Sequence, residues 1–150
     1  MFEKIISWQH TEEGEQQLRT LANDWEPDFW CFEQVLETLK RNEVFLWSVV
    51  DDLGVWKACL IAQLNVDQVD LLFIYVRPNF RKEGVGHLLM NELIKWSGHT
   101  AKANDIFLEV RESNIAAIQL YKRYHFEQVG VRKSYYQDGE NAIVMKKSLV

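Results

Sequence analysis

A six-residue loop, RKEGVG at residues 81–86, separates an apolar run from a helical pattern in the middle of this chain. The run LLFIYV at residues 71–76 is typical of a buried strand, and the helical pattern begins at Val85. The two glycines let backbone N–H groups approach a ligand closely, and a helix N-terminus attracts anions. The loop therefore predicts an anion site, in the simplest case for a phosphate, with a tight turn and no ligand as the alternative.

Two common phosphate-binding loops do not fit these residues. A dinucleotide-binding turn would have a third glycine where this chain has Leu89, and a nucleotide-triphosphate loop would have lysine where it has His87. The loop instead resembles the acetyl-CoA loop, [QR]xxGxG/A, of the GNAT superfamily of N-acetyltransferases, with Arg81, Gly84 and Gly86 at the motif positions.

Two later segments resemble the same family in its order and spacing. LEVRESNIAAIQLY at residues 108–121 is similar to the LEVRxSNxxAxxLY segment of RimI-like enzymes, which acetylate the N-terminal alanine of a small-subunit ribosomal protein. SYYQDGENAIVMKKSL at residues 134–149 is similar to the closing segment of RimI-like and other protein N-terminal acetyltransferases. The resemblance covers about the second half of the chain and implies the GNAT fold, with acetyl-CoA as cosubstrate.

The whole chain sets further bounds. Its 150 residues, 47% of them apolar, suit a single domain over residues 1–150. A net charge of −5 disfavours a nucleic-acid partner and mildly favours a cationic acceptor. We expect a cytoplasmic protein without membrane contact, because the start lacks a signal peptide and the longest apolar stretch is short. Cys31 and Cys59 lack metal-ligand spacing, which predicts reduced thiols and no metal site.

The hydrophobic periodicity predicts an α/β (α+β) fold. Strands are expected at residues 2–7, 44–50, 55–65, 67–76, 105–111, 126–131 and 141–147, and helices at residues 11–23, 28–40, 85–97 and 114–124. Gly98 is the expected stop of the third helix. This order is that of the GNAT fold, a mixed central sheet of about seven strands with about four helices. The apolar residues 71–76 predict a central strand that is buried on both faces.

The resemblance also implies how the cosubstrate is held. Backbone donors of residues 72–76 would hold the thioester, and the loop would hold the pyrophosphate. The expected contacts are Ile74, Tyr75, Val76, Arg81, Lys82, Glu83, Gly84, Val85, Gly86 and Asn114. Asn114 also stands where the fourth helix needs its N-cap, a role that is compatible with a contact to the pantetheine arm.

One acidic residue interrupts an otherwise apolar strand. Alternation along IFLEVR puts Leu108 and Val110 on one face and Glu109 and Arg111 on the other, so Glu109 could simply pair with Arg111 in solvent. The resemblance implies instead that Glu109 is the base for the acceptor amine, either through a pKa raised by partial desolvation or through a water. At pH 7 the free energy needed to deprotonate an α-amine is roughly 3.5 kcal/mol smaller than that for a lysine amine, so an α-amine makes a smaller demand on the base.

The acid partner implied by the resemblance is Tyr121, which matches the LY tyrosine that protonates the departing CoA sulfur. A phenol suits this role because it stays protonated at neutral pH. The alternative is a core tyrosine on the apolar face of its helix. The family usually continues with Gly-Phe, whereas this chain has His125 followed by Phe126, and histidine adopts a left-handed helix end only at a cost.

Aromatic residues at two places are candidates for the acceptor site. Trp25, Phe29 and Trp30 belong to the helix pair that walls the acceptor site in GNAT folds, with core packing as the alternative that their spacing favours. RimI-like enzymes often have Pro-Trp-Ser here, and the departure leaves acceptor identity open. Tyr135 and Tyr136 match a tyrosine pair that lines the entry of the peptide backbone, with a lid over the core as the alternative.

The resulting hypothesis is an enzyme, monomeric or homodimeric, that moves acetyl from acetyl-CoA to a protein N-terminal α-amine, of the ribosomal-protein-alanine type, by direct attack in a ternary complex. The same fold acting on another primary amine, such as a small molecule, is the nearest alternative. A non-catalytic acyl-CoA-binding regulatory module is a second. A toxin-like enzyme that acetylates aminoacyl-tRNA is a third, which the acidic charge balance disfavours.

Overall fold

The computed structural model describes residues 3–25 and 30–150. The strands are β1 (Lys4–Ser7), β2 (Val44–Val50), β3 (Trp56–Asn65), β4 (Gln68–Val76), β5 (Asp105–Arg111), β6 (Glu127–Arg132) and β7 (Ala142–Ser148). The helices are α1 (Glu12–Ala22), α2 (Phe32–Leu39), α3 (Val85–Lys95) and α4 (Ile115–Arg123). The predicted number and order of elements are confirmed, while the predicted starts of the first strand and the second helix lie outside the described residues.

The seven strands form one mixed sheet in the order β1-β2-β3-β4-β5-β7-β6. All neighbours are antiparallel except β4 and β5, which run parallel because α3 carries the chain back across the sheet between them. The parallel pair lies in the middle of the sheet, so the loop that follows β4 and the end of β5 meet at the same edge.

Helices cover both faces of the sheet. On the face that we call the α3–α4 side, the buried cluster includes Leu60, Leu71, Leu89, Ile106, Tyr121 and Met145. On the opposite face, the α1–α2 side, it includes Leu18, Leu21, Val35, Ile61, Phe73 and Tyr75. No helix within the described ranges is long and apolar enough to span a bilayer.

Strand β4 contributes to both clusters, which confirms the prediction of a strand buried on two faces. Leu71 packs on the α3–α4 side, whereas Phe73 and Tyr75 pack on the α1–α2 side. The side changes because Leu72 is an extra residue: Ala62 of β3 pairs with Leu71, and the preceding Ile61 pairs with Phe73. Such a bulge bends and twists a strand.

The prediction that Gly98 ends the third helix is wrong. The α-helix ends at Lys95 and continues as a wider π-helical turn, Trp96–Thr100, closed by a 2.9 Å hydrogen bond from the Ala101 N–H to the Trp96 carbonyl. Gly98 is one of the turn's residues, and the left-handed residue beyond it is Lys102, at φ 53°. The wider turn accompanies the packing of Trp96 between helix and sheet, with its ring centroid 5.1 Å from that of Trp47.

Candidate active site

A gap opens in the sheet between β4 and β5. The two strands pair only from Gln68 with Asp105 to Leu71 with Leu108, although β4 continues to Val76 and β5 to Arg111. On their outer edges both continuations stay hydrogen-bonded, β4 to β3 and β5 to β7. The ladder between β4 and β5 therefore ends at Leu71 and Leu108, and the backbone beyond it can bind a ligand that enters the gap.

The bulge in β4 lies where this gap begins. Leu72 interrupts the pairing with β3 immediately after Leu71, the last residue of β4 that pairs with β5. Beyond the bulge, Ile74 and Val76 are half-buried on the α3–α4 side, while Tyr75 is buried on the other. The predicted cosubstrate residues of β4 therefore line one edge of the gap.

The glycine loop leads from β4 into α3 through a short 3-10 turn, Pro78–Phe80. Gly84 is the N-cap of α3 and has φ 84°, a left-handed conformation that glycine adopts without steric cost. A Cβ at Gly86 would meet only the Val76 side chain, at 3.8 Å, so the space beside this residue is open. The first N–H groups of α3, which include that of Val85, have no partner within the helix.

Charged residues of the loop extend from this helix end. The exposed Arg81 donates from Nε to the Val76 carbonyl over 2.9 Å, and Lys82 is held at φ 65°. Glu83 is exposed as well, and because its carboxylate would repel an anion, its contribution to such a site would come from the backbone N–H. The loop residues thus fit a phosphate-bearing ligand, with free helix donors, two cations and open space at Gly86.

Glu109 lies one residue beyond the last pair of the parallel ladder, on the α1–α2 side of β5. Its side chain is 31% exposed and forms an ion pair in which Arg132 Nε lies 3.1 Å from Glu109 Oε2. The alternative of a Glu109–Arg111 pair is wrong, because Arg111 turns instead to Asp138 and Glu140. The predicted alternation along β5 is confirmed, since Ile106, Leu108 and Val110 are buried in the opposite cluster.

Tyr121 lies in α4 and is buried on the α3–α4 side, as the core alternative predicts. Burial raises the pKa of its phenol, and the neighbouring Tyr136 adds to this shift. Burial also raises the pKa of Tyr136, with the Glu109 carboxylate as the next cause. Tyr136 thus lies within electrostatic reach of both Glu109 and Tyr121, and it connects the two groups across the gap.

The helix that carries Tyr121 ends in a left-handed turn at His125, which has φ 68°. The Phe126 N–H donates to the Tyr121 carbonyl over 3.1 Å, and the His125 N–H donates to the Lys122 carbonyl over 3.0 Å. These two bonds, with the Tyr121 and Phe126 rings 5.9 Å apart, form a Schellman motif. Histidine therefore occupies the position usually taken by glycine without changing the turn.

A clamp centred on Arg111 fixes the loop that carries the tyrosine pair. Arg111 Nη1 donates to Asp138 over 2.8 Å and to Glu140 over 2.9 Å, and its guanidinium lies 4.1 Å from the Tyr136 ring centroid. Glu140 also accepts from the Ser113 N–H over 2.8 Å. The hydrogen bond with Glu140 is the largest cause that raises the Arg111 pKa, and the bond with Ser113 is the largest that lowers the Glu140 pKa.

This clamp was not found from the sequence. Its basic member belongs to the LEVR segment and its acidic members to the DGEN segment, which are about thirty positions apart. The available signal was the presence of opposite charges beside the tyrosine pair and beside the predicted base, Glu109. They could not be paired before the register of β5 with β7, in which Arg111 faces Ala142, was known.

The tryptophan candidates divide between core and surface. Trp25 is buried, donates from Nε1 to the Trp30 carbonyl over 2.7 Å and packs edge-on against Phe73, so the core alternative holds for it. Trp30 is half-buried and stacks on Phe73 with ring centroids 6.3 Å apart. Phe29 lies outside the described residues. An acceptor role for Trp30 therefore stays a prediction.

Asn114 is the N-cap of α4, and its side-chain oxygen accepts from the Ala117 N–H over 3.2 Å. Its capping role is confirmed, and its contact with the cosubstrate stays a prediction.

Two open clefts, of about 550 and 450 Å³, lie at β1 and at α2, and neither is lined by Glu109 or Tyr121. In the part of the chain that the structure describes, no three His, Cys, Asp or Glu side chains are grouped so as to hold a metal ion.

Comparison with known proteins identifies the family. A sequence model described as "Acetyltransferase (GNAT) family" matches residues 3–126. The chain belongs to the GNAT acetyltransferase family. This confirms the family predicted from the loop and from the two later segments. An N-alpha-acetyltransferase of Saccharolobus solfataricus is 40% identical over 134 residues, which are 82% of this chain and 80% of that protein.

Two further similarities concern a single bacterial enzyme. The [ribosomal protein bS18]-alanine N-acetyltransferase of Escherichia coli K12 is 38% identical over 108 residues, 70% of this chain and 72% of that protein. The crystal structure of the ribosomal-protein-S18-alanine N-acetyltransferase from Escherichia coli superposes with a TM-score of 0.87 at 25% identity, covering 99% of this chain and 94% of that one. The chain spans about half, 47%, of an N-alpha-acetyltransferase of Sulfolobus acidocaldarius.

Proposed function

We propose that this protein transfers acetyl from acetyl-CoA to the N-terminal α-amine of a protein, with a ribosomal-protein alanine as the acceptor to test first. The observation that carries the proposal is the gap between β4 and β5. Glu109 lies one residue past the end of the parallel ladder, and Tyr121 is buried in α4 on the α3–α4 side; the Tyr136 phenol, whose pKa Glu109 helps to raise, in turn helps to raise the pKa of Tyr121. The names of the relatives support the same acceptor class.

The residues of the gap and the glycine loop would hold the cosubstrate. The backbone of residues 72–76, along the edge of β4 that faces the gap, would bind the pantetheine and thioester as an added strand does, and Arg81, Lys82 and the first N–H groups of α3 would bind the pyrophosphate. Acetyl-CoA, when bound, supplies the activated acetyl group. Holding it in the gap converts a bimolecular encounter into an oriented one.

Glu109 would receive the proton of the acceptor amine. Glu109 lies one residue past the end of the parallel ladder, where the gap begins, and from there the carboxylate would serve an amine that attacks a thioester held in the gap. An N–C bond forms, the C–S bond breaks, and the amine proton passes to Glu109 directly or through a water. An α-amine has a usable neutral fraction at pH 7, which a lysine amine does not.

Tyr121 would serve the departing sulfur. Because its pKa is raised by burial, the phenol is fully protonated at neutral pH and can act as a hydrogen-bond donor to the developing thiolate. Donation of the proton would complete the balance of the reaction. The Schellman motif at His125 supports this role, because it fixes the end of α4 one turn beyond Tyr121.

Acceptor assays test the proposal. Acetyl-CoA-dependent CoA release would be measured with peptides that begin with alanine, including one that begins Ala-Arg, beside free lysine and polyamines. We expect a preference for peptide α-amines, and we expect the enzyme to act in the cytoplasm. A preference for a polyamine would favour the small-molecule alternative, and CoA binding without transfer to any amine would favour a regulatory module.

Two variants test the roles of the residues. Glu109→Gln is expected to lower kcat about 10²-fold or more, the usual size of a general-base contribution, and Tyr121→Phe about tenfold or more. The matched controls are Glu127→Gln, in the exposed part of β6, and Tyr124→Phe, whose hydroxyl contacts His87 Nδ1 at 2.7 Å. If Glu109→Gln and Tyr121→Phe both fold and keep turnover within a factor of two of the controls, the assignment is wrong.

A further inference from the structure

We propose that Arg132 is a specificity-determining residue that disfavours acceptors with a second positive charge close to the reacting amine. This inference rests on the proposed function, because it concerns the amine that Glu109 receives. Arg132 ends β6, pairs with Ala142 of β7 and precedes the loop that carries the tyrosine pair.

Arg132 approaches the proposed base more closely than any other cation that the described residues show. Its Nε lies 3.1 Å from Glu109 Oε2, and its guanidinium carbon lies 5.7 Å from the Tyr135 ring centroid. The side chain is 59% exposed, which puts the guanidinium at the rim of the site rather than within it. An acceptor amine that reaches Glu109 therefore comes close to the positive charge of Arg132.

The other cation on this face of β5, Arg111, is already balanced. Arg111 lies on the same face of β5, but its charge is compensated by Asp138 and Glu140 at 2.8 and 2.9 Å. Those two carboxylates are held by Arg111 and by backbone N–H groups, so they are not free to neutralise Arg132. Among residues 3–25 and 30–150, Glu109 is the one acidic side chain that pairs with Arg132.

The consequence follows from the number of charges. When the α-ammonium of an acceptor pairs with Glu109, this ammonium and the Arg132 guanidinium share one carboxylate. The charge of Arg132 is then only partly compensated. A second acceptor cation nearby has no negative partner and faces Arg132 directly. Two like charges ~7 Å apart at an effective dielectric constant of ~40 repel enough to weaken binding by about fivefold to tenfold.

The test compares two peptides that differ in one charge. Their first residues are norvaline and 2,4-diaminobutyrate, which have nearly the same shape, but the second carries a side-chain ammonium. The quantity measured is the ratio of kcat/KM for the norvaline peptide to that for the diaminobutyrate peptide. Arg132→Gln is expected to lower this ratio by about fivefold at low salt, and Arg132→Lys is expected to keep most of it.

Salt and a neighbouring residue provide the controls. At about 1 M salt, where charges are screened within ~3 Å, the ratio for the natural protein should fall toward that of Arg132→Gln. Lys133→Gln removes a cation from the adjacent exposed position and should leave the ratio unchanged. A purely structural role for Arg132 would lower kcat/KM for both peptides equally and would show no salt dependence of the ratio.

The outcomes separate this inference from the proposed function. If Arg132→Gln still acetylates peptides and its ratio equals that of the natural protein at low salt, the inference about Arg132 is wrong while the proposed function stands. If the natural protein acetylates no peptide α-amine but acetylates 1,4-diaminobutane, both are wrong. A lowered ratio that Lys133→Gln reproduces would assign the effect to the general charge of the loop and would also overturn the inference.

Discussion

Replacing His125 by glycine should make the protein more stable. His125 has φ 68° at the end of α4, a conformation that costs a residue with a Cβ about 1–2 kcal/mol. Its side chain is exposed and makes no hydrogen bond, ion pair or ring contact with any described residue, so no such contact is lost on replacement. Glycine gives back about 0.5–1 kcal/mol through the greater backbone entropy of its unfolded state.

The net expectation for His125→Gly is a gain of about 0.5–1 kcal/mol in the free energy of unfolding. For a chain of this length that corresponds to an increase of about 1–4 °C in Tm. Urea unfolding followed by circular dichroism would measure the free energy, and a thermal scan would measure Tm. The Schellman hydrogen bonds of Tyr121 and Lys122 should be kept, so kcat should stay within about twofold of the natural value.

A control on the same helix separates the left-handed position from the general effect of glycine. Lys122→Gly, at an exposed position within α4, should lower the free energy of unfolding by about 1 kcal/mol. The two substitutions should therefore change the free energy of unfolding in opposite directions. If His125→Gly lowers stability as Lys122→Gly does, the left-handed position carries no strain and the reasoning fails.

Substitutions at four other positions give further predictions. Gly84→Ala, at φ 84°, should lower the free energy of unfolding by about 1–2 kcal/mol and raise KM for acetyl-CoA. Gly98→Ala lies in a helical turn with open space beside it and should raise the free energy of unfolding by about 0.5–1 kcal/mol in the same urea assay. Lys57→Met should lower the free energy of unfolding by about 2–3 kcal/mol, because Lys57 is buried and pairs at 2.7 Å with a carboxylate that would lose its partner. Glu140 has a lowered pKa, so its contribution to the free energy of unfolding is fully present above about pH 4 and is lost as the pH falls through its folded-state pKa. Urea titrations at several pH values should show that Arg111→Gln reduces this acid-dependent loss of stability.

The fold could be predicted from the sequence because its elements have clear local patterns. Alternation along β5, largely apolar runs in β2 and β3, and an apolar stripe along α3 indicate the type of each element, and the resemblance to the family gives their topology. The end of α3 was predicted wrongly. A glycine is the usual helix stop, but Gly98 lies inside a π-helical turn that follows the packing of Trp96 against β2, which is a tertiary contact.

Candidate site residues could be named from the sequence where a single motif carries them. Glu109 and Tyr121 were predicted from one segment, residues 108–121, and in the structure Glu109 lies on the α1–α2 side of β5 while Tyr121 is buried on the α3–α4 side. The ion pairs of Glu109 with Arg132 and of Arg111 with Glu140 were not found, since each joins residues more than twenty positions apart. Only the pairing of β5 with β7, and of β7 with β6, brings these charges together.

The interruption between β4 and β5 has a consequence for the exchange of backbone amides with solvent. In most sheets the central strands are the most protected, because both of their edges are hydrogen-bonded. Protection should instead change within one strand. Val69–Leu71 pair with both β3 and β5, whereas the residues after the bulge at Leu72 pair with β3 but not with β5. Amides that face the gap should therefore exchange readily at the centre of the molecule, and a ligand that fills the gap should protect them as a neighbouring strand would.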